Sequence, residues 1–125
     1  MLAADEVAEI HALLGAAGAE FVAHARVRLL YAHVQNDVAR FTARVERLDE
    51  AIMQAEAAGL DITRAAAEAD QARASLEAAA SVLAGADPDD TGEGALTQLR
   101  LAHRAAHAAQ SHLRAGFRSL AGQFI

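Results

Sequence analysis

Residues Val27–Ile52 read VRLLYAHVQNDVARFTARVERLDEAI, and the apolar side chains Val27, Tyr31, Val34, Val38, Phe41, Val45, Leu48 and Ile52 fall at alternating steps of four and three without a slip. That spacing draws one stripe along an α-helix and is a heptad seam that packs on other helices. On its C-terminal side the stripe ends at Ala57-Ala58-Gly59-Leu60, where Gly59 suits the left-handed position after a helix and Leu60 can fold back onto the last turn. A second seam follows at Ala65, Ala69, Ala72, Leu76, Ala79 and Leu83, with Thr63 as its N-cap, Asp61 as the rival cap, and Gly85 as its stop. Small residues along that seam let two helices approach near the low end of the usual spacing of about 8–10 Å.

Beyond Gly85, residues 86–94 hold Pro88, two glycines and the acids Asp87, Asp89, Asp90 and Glu93, the composition of a loop. From about Ala95 to Phe124 a third amphipathic helix carries Leu96, Leu99, Ala102, Ala106, Ala109, Leu113, Phe117, Leu120 and Phe124 on one broad face. Arg100, Arg104, His107, Ser111, Arg114 and Arg118 run beside it, and no acid follows Glu93, so one flank is positive. Upstream of Val27 the helix extends back to about Ala3 with Val7, Ile10 and Leu14 inward; Gly15 and Gly18 offer a place where it breaks into a fourth, short helix. The expected fold is a single all-α domain over residues 1–125, an elongated antiparallel three-helix coiled coil or bundle with helices at about 3–57, 63–84 and 95–124. No run of period-two alternation predicts a strand.

Composition narrows the function classes. The chain has 125 residues with 35 alanines, no cysteine, no lysine and 4% aromatics, and its formal net charge is −6. Missing cysteine removes disulfide scaffolds, zinc knuckles and thiol nucleophiles. The negative charge argues against nucleic acid as a partner. The stretch Ile10–Ala19 is uncharged but about half the roughly 20 residues needed to span a bilayer. Asp5, Glu6 and Glu9 with no basic residue beside them are the reverse of a signal-peptide start, so the expectation is a cytoplasmic protein or one whose leader has been removed.

Helix lengths imply a partner. At 1.5 Å per residue the first helix is roughly 75 Å long, the second about 35 Å and the third about 45 Å. Antiparallel pairing across Gly59 sets Ile52 near Ala65, Phe41 near Leu76 and Val34 near Leu83, which leaves everything before about Leu30 uncovered. Val7, Ile10, Leu14, Phe21, Val27 and Leu30 lie in that overhang, and each large apolar side chain left in water forgoes about 1.5–3 kcal/mol. At the opposite pole Leu120 and Phe124 extend past the Gly59 turn. These residues are the expected association surface. A twofold homodimer closes on itself, an end-to-end contact propagates into a fibre, and another helical protein is the remaining occupant.

Few groups suggest chemistry. His103 and His107 stand four apart, the spacing at which two imidazoles on one helix chelate a metal ion. Their third ligand would have to be His112, on the far side of that helix, and the pair Glu20 and His24 falls far away in this register. No Glu-x-x-His occurs, so the expectation is histidines of a seam or flank, with no cofactor and no bound metal. Arg28 to His33, Arg26 to His33 and Arg100 to His107 have a spacing that resembles the nuclease motif of HEPN-domain ribonucleases, although the residue after each arginine is apolar where that family has a polar one. His112 with Gly116 loosely resembles the phosphoacceptor helix of histidine phosphotransfer domains, but Ala115 stands where a basic residue belongs. No catalytic nucleophile is identifiable.

Arg44 to Leu83, above all Arg47-Leu-Asp-Glu and Ala58-Gly-Leu-Asp-Ile-Thr63, resembles uncharacterised bacterial envelope or secreted alanine-rich hairpin proteins in which a Gly-x-Asp turn joins two helices. The resemblance implies an extracytoplasmic helical protein and supplies no site residues. The functional expectation is a non-catalytic structural or interaction protein acting through self-association. The alternatives are a metal-binding bundle using His103 and His107, and a HEPN-like ribonuclease.

Overall fold

Three helices form and pack on one another in a computed structural model: α1 (Ala4–Ala57), α2 (Thr63–Gly85) and α3 (Glu93–Ala121), the last tightening into a 3-10 turn, Gly122–Phe124. The structure describes residues 3–90 and 92–124, Phe124 by its backbone alone, so the association role expected of the Phe124 side chain lies outside the described residues. Among them there is no strand, and no helix is long and apolar enough to cross a membrane. α1 runs unbroken through Gly15 and Gly18, so the single long helix forms and the alternative break there does not. An added Cβ would meet nothing at either glycine, so neither serves a close approach.

The α1–α2 turn forms as its residues dictate. Gly59 takes φ +80°, its N–H donates to the Glu56 carbonyl, and the Leu60 N–H donates to the Ala55 carbonyl, the two bonds of a Schellman ending. Neither rival occupies the cap position of α2, which falls on Ile62; Thr63 is the first residue of the helix, and its N–H donates to Asp61 Oδ1 at 3.0 Å. That hydrogen bond, with the Thr63 side chain, holds the Asp61 carboxyl below its ordinary range. Gln123 closes the same end, its Nε2 donating to the Asp61 carbonyl at 2.6 Å while its Oε1 accepts from the Asp61 N–H at 2.9 Å.

Three rows of α1 share the packing. Val27, Val34, Phe41, Leu48 and Ala55, seven apart, are all buried and form the centre. On one side Val38 and Val45 line a cleft with Leu76 and Ala80 of α2, closed by an ion pair between Asp49 and Arg73. On the other side, Asp37 meets α3 at His107, and Ala51 lies beside Leu120. A two-helix seam needs only the first two rows; the third exists because two helices share the same groove of α1. The α2 seam is buried at each of its six expected positions.

On α3 the buried set is Leu99, Ala102, Ala106, Ala109, Leu113, Gly116 and Leu120. Phe117, expected on this face, is exposed and Gly116 takes its place inside. The reason is Leu48, whose Cδ2 would lie 2.7 Å from a Cβ at position 116. Gly116→Val is therefore expected to destabilise the fold by about 1–3 kcal/mol through overpacking. A denaturant midpoint unchanged by this substitution would show that Leu48 has room to move.

The uncovered part of α1 is shorter than helix lengths suggest. Val27 is fully buried, Leu30 half-buried and Leu120 buried, all within their own chain, which corrects their place in the expected association surface. They belong to the core shared by the three helices, and beside Val27 the acidic loop meets α1: Arg28 Nη2 donates to Asp89 Oδ1, and His24 Nε2 lies 3.4 Å from the same oxygen. The Arg28 guanidinium, with a smaller contribution from His24, holds the Asp89 carboxyl below its usual range. Every residue from Ala3 to Val22 is exposed, including Val7, Ile10, Leu14 and Phe21.

Candidate metal centre

Two pairs at helical spacing of four meet between α1 and α3. His33 and Asp37 project from α1, His103 and His107 from α3, and one ligand-type atom of each lies within 4.8 Å of all the others. His33 Nε2 stands 3.2 Å and His107 Nε2 3.4 Å from Asp37 Oδ2. Those separations match the edges, roughly 3.3–3.4 Å, of a tetrahedron whose metal–ligand bonds are about 2.0–2.1 Å. The rings are gathered closely, with centroids 4.3 Å apart for His103 and His107 and 5.3 Å for His33 and His103.

Burial is steep across the cluster. The Asp37 side chain is 3% exposed, whereas His33 and His107 are about half exposed, at 57% and 45%. Asp37 belongs to the third row of α1, three residues after Val34 and four before Phe41, so helix geometry carries it inward whatever its chemistry. Its Oδ1 accepts from Arg40 Nη2 at 2.9 Å. Arg40 thereby fixes the carboxylate plane, as hydrogen bonds to ligating carboxylates commonly do. Phe41 meets the His107 ring edge-on at 6.0 Å between centroids and limits its rotation. Outside the cluster, His33, Asn36, Asp37 and Arg40 line a surface cavity of about 240 Å³ that opens the site to small ligands.

Two atoms carry the chemical argument. Asp37 Oδ2 and His103 Nε2 are both buried without a hydrogen-bond partner. Buried polar atoms are nearly always satisfied, and leaving one unpaired costs about 1–3 kcal/mol. His33 and His107 stand within ion-pair distance of Asp37 Oδ2 without an aligned hydrogen bond to it, and His103 Nε2 in the same cluster has no partner. A cation satisfies both at once. His103 is also biased toward the neutral form that ligates: burial lowers its pKa first, the neighbouring His107 and His33 lower it further, and Asp37 opposes them.

The pair His103 and His107 was legible as a chelating unit, but its partners are not those expected. His112 Nδ1 lies 2.6 Å from Glu68 Oε2 on α2, and His24 lies against Asp89. The remaining ligands come instead from α1. Neither His33 nor Asp37 stands out as a ligand in the sequence, and the heptad position of Asp37, shared with Leu30, Arg44 and Ala51, gives no signal that it turns inward. Of the arginine–histidine spacings, His33 and His107 do converge on Asp37, but Arg28 is engaged with Asp89, and Arg26 and Arg100 line a separate cavity with Glu93 and Leu96. The chain matches no protein-family model, no curated protein and no solved structure.

Proposed function

We propose that this chain binds one divalent transition-metal ion between α1 and α3 through His33, Asp37, His103 and His107. The observation that carries the reading is the pair of buried, unpartnered atoms, Asp37 Oδ2 and His103 Nε2, within one four-residue cluster. Three imidazoles and one carboxylate suit zinc, copper, nickel or ferrous iron and disfavour calcium and magnesium, which prefer all-oxygen shells. An ion held there would tie two helices whose contact at this level is made by small residues, Ala102 and Ala106. Calorimetric titration with zinc is expected to give one site per chain. Removing an outer-shell partner of a metal typically costs 10–100-fold, so loss of a ligand in His103→Ala or Asp37→Asn should weaken binding by more than about tenfold. His112→Ala should leave it unchanged. Wild-type protein that takes up no zinc, nickel or copper refutes the reading.

A second reading rests on a different observation. Leu13, Leu14 and Phe21 are 67%, 65% and 74% exposed on a part of α1 that no described residue covers. We infer from this an elongated antiparallel coiled coil that acts structurally through self-association, the N-terminal rod of α1 being its adhesive part. Sedimentation velocity tests this reading, since a species of 13.1 kDa at every concentration contradicts it.

A further inference from the structure

Charge along this chain is segregated between two exposed surfaces. From Ala4 to Ala25 α1 carries Asp5, Glu6, Glu9 and Glu20 and no arginine, while α3 beyond Glu93 carries Arg100, Arg104, Arg114 and Arg118 and no acid. All eight side chains are exposed, and none forms an ion pair with a described residue. The spacings also agree. Glu6 and Glu20 are fourteen residues apart, as are Arg100 and Arg114, and Arg104 and Arg118. Fourteen residues rise about 21 Å and return to within about 40° of the starting face, so each set presents two like charges, equally separated, along one side of a helix. Exposed apolar residues accompany both: Leu14 and Phe21 on the rod, and on α3 Leu101 and Phe117, about 160° apart, one on either flank of the arginines.

We propose that the N-terminal rod of α1, residues 4–22, docks on the outer face of α3 of a second copy of this chain, with Glu6 and Glu20 against the arginine pairs. The proposal rests on the self-association reading and names the surface that receives the rod. A continuous α1 cannot bend to reach its own α3, because the rod projects away from the bundle as a straight extension of a helix without a break. Pairing two rods with each other in a twofold dimer would bring like acids together and leave the arginine stripe unused. Rod-to-α3 docking joins unlike surfaces, is heterologous, and therefore yields head-to-tail chains or a ring instead of a closed isologous pair. The apolar side chains supply most of the attraction, because exposed ion pairs add little, and the charges select partner and register.

Charge reversal separates the possibilities, because the altered positions are exposed and the fold can be checked by circular dichroism. Wild-type protein in sedimentation velocity is expected to associate with rising concentration and to associate somewhat less tightly as salt screens the charges. Arg104→Glu/Arg118→Glu and Glu6→Arg/Glu20→Arg should each sediment as 13.1 kDa monomers, and mixing the two variants should restore association. Association that survives Arg104→Glu/Arg118→Glu unchanged overturns the proposal while leaving self-association standing, as rod-to-rod pairing would do. A wild type that remains monomeric at every concentration overturns both.

Discussion

Asp37→Leu is expected to make the metal-free protein more stable and the zinc-loaded protein less so, a crossing that only a binding residue would show. In the metal-free chain Asp37 is a buried side chain whose Oδ1 accepts from Arg40 and whose Oδ2 takes no aligned hydrogen bond, beside the apolar Val34 and Phe41. Replacing such a buried ionic group with a hydrophobic residue of similar volume is often neutral or stabilising by about 1–4 kcal/mol. With zinc present at 100 times its dissociation constant, the wild type gains about 2.7 kcal/mol by mass action, and the variant, lacking a ligand, gains little of it. Thermal melts with and without zinc read both arms. A variant that is destabilised in both conditions would make Asp37 a structural residue.

The same substitution has a pH signature. His103 is titrated at a lower pH in the fold than in the unfolded chain, so the unfolded state binds more protons between the two values. Stability contributed by neutral His103 is therefore fully present above its ordinary pKa near 6.5 and is lost as pH falls through the lowered value. Asp37 opposes the lowering, and removing it depresses the His103 pKa further. The advantage of leucine in metal-free protein should accordingly shrink on acidification, when His103 becomes a cation that the carboxylate would have stabilised.

Phe41→Ala is expected to cost about 3–5 kcal/mol, the range for emptying a buried aromatic site. Phe41 is the largest of the fully buried side chains, and the core around it is lined extensively by alanines of α2 and α3, which have no long side chains to move into the space left behind. Against a typical total of about 5–15 kcal/mol, that loss leaves a marginal fold. Its effect should reach the proposed metal site as well, because Phe41 meets the His107 ring edge-on. Zinc affinity should fall even though no ligand has changed. Urea denaturation measures the first effect and calorimetry the second, with Phe117→Ala, on an exposed face, as a control expected within about 0.5 kcal/mol. A Phe41→Ala loss below that of the control would mean that the core collapses around the gap.

The seams were legible because they are local. Val27 to Ile52 and Ala65 to Leu83 repeat at the period of a helix, and Gly59 with Leu60 terminates the first helix through backbone geometry that any neighbouring fold would have to accept. The one substantial misreading on α3, Phe117 for Gly116, arises because both lie near the same face and only the position of Leu48 on another helix decides between them. The coverage of Val27 was hidden for a similar reason: it depends on how far the other helices and their loop reach along α1, where Asp89 meets Arg28 across sixty-one residues.

Sequence alone thus determined that the chain is helical, where its first turn falls, and that His103 and His107 face the same way, since all three follow from a period of 3.6 residues and the conformational freedom of one glycine. Only the tertiary structure decided what stands opposite those histidines. His33 and Asp37 lie some seventy positions earlier, and the lateral register of α1 against α3, which brings the two pairs within reach of one ion, is fixed by the packing of three helices on a shared core.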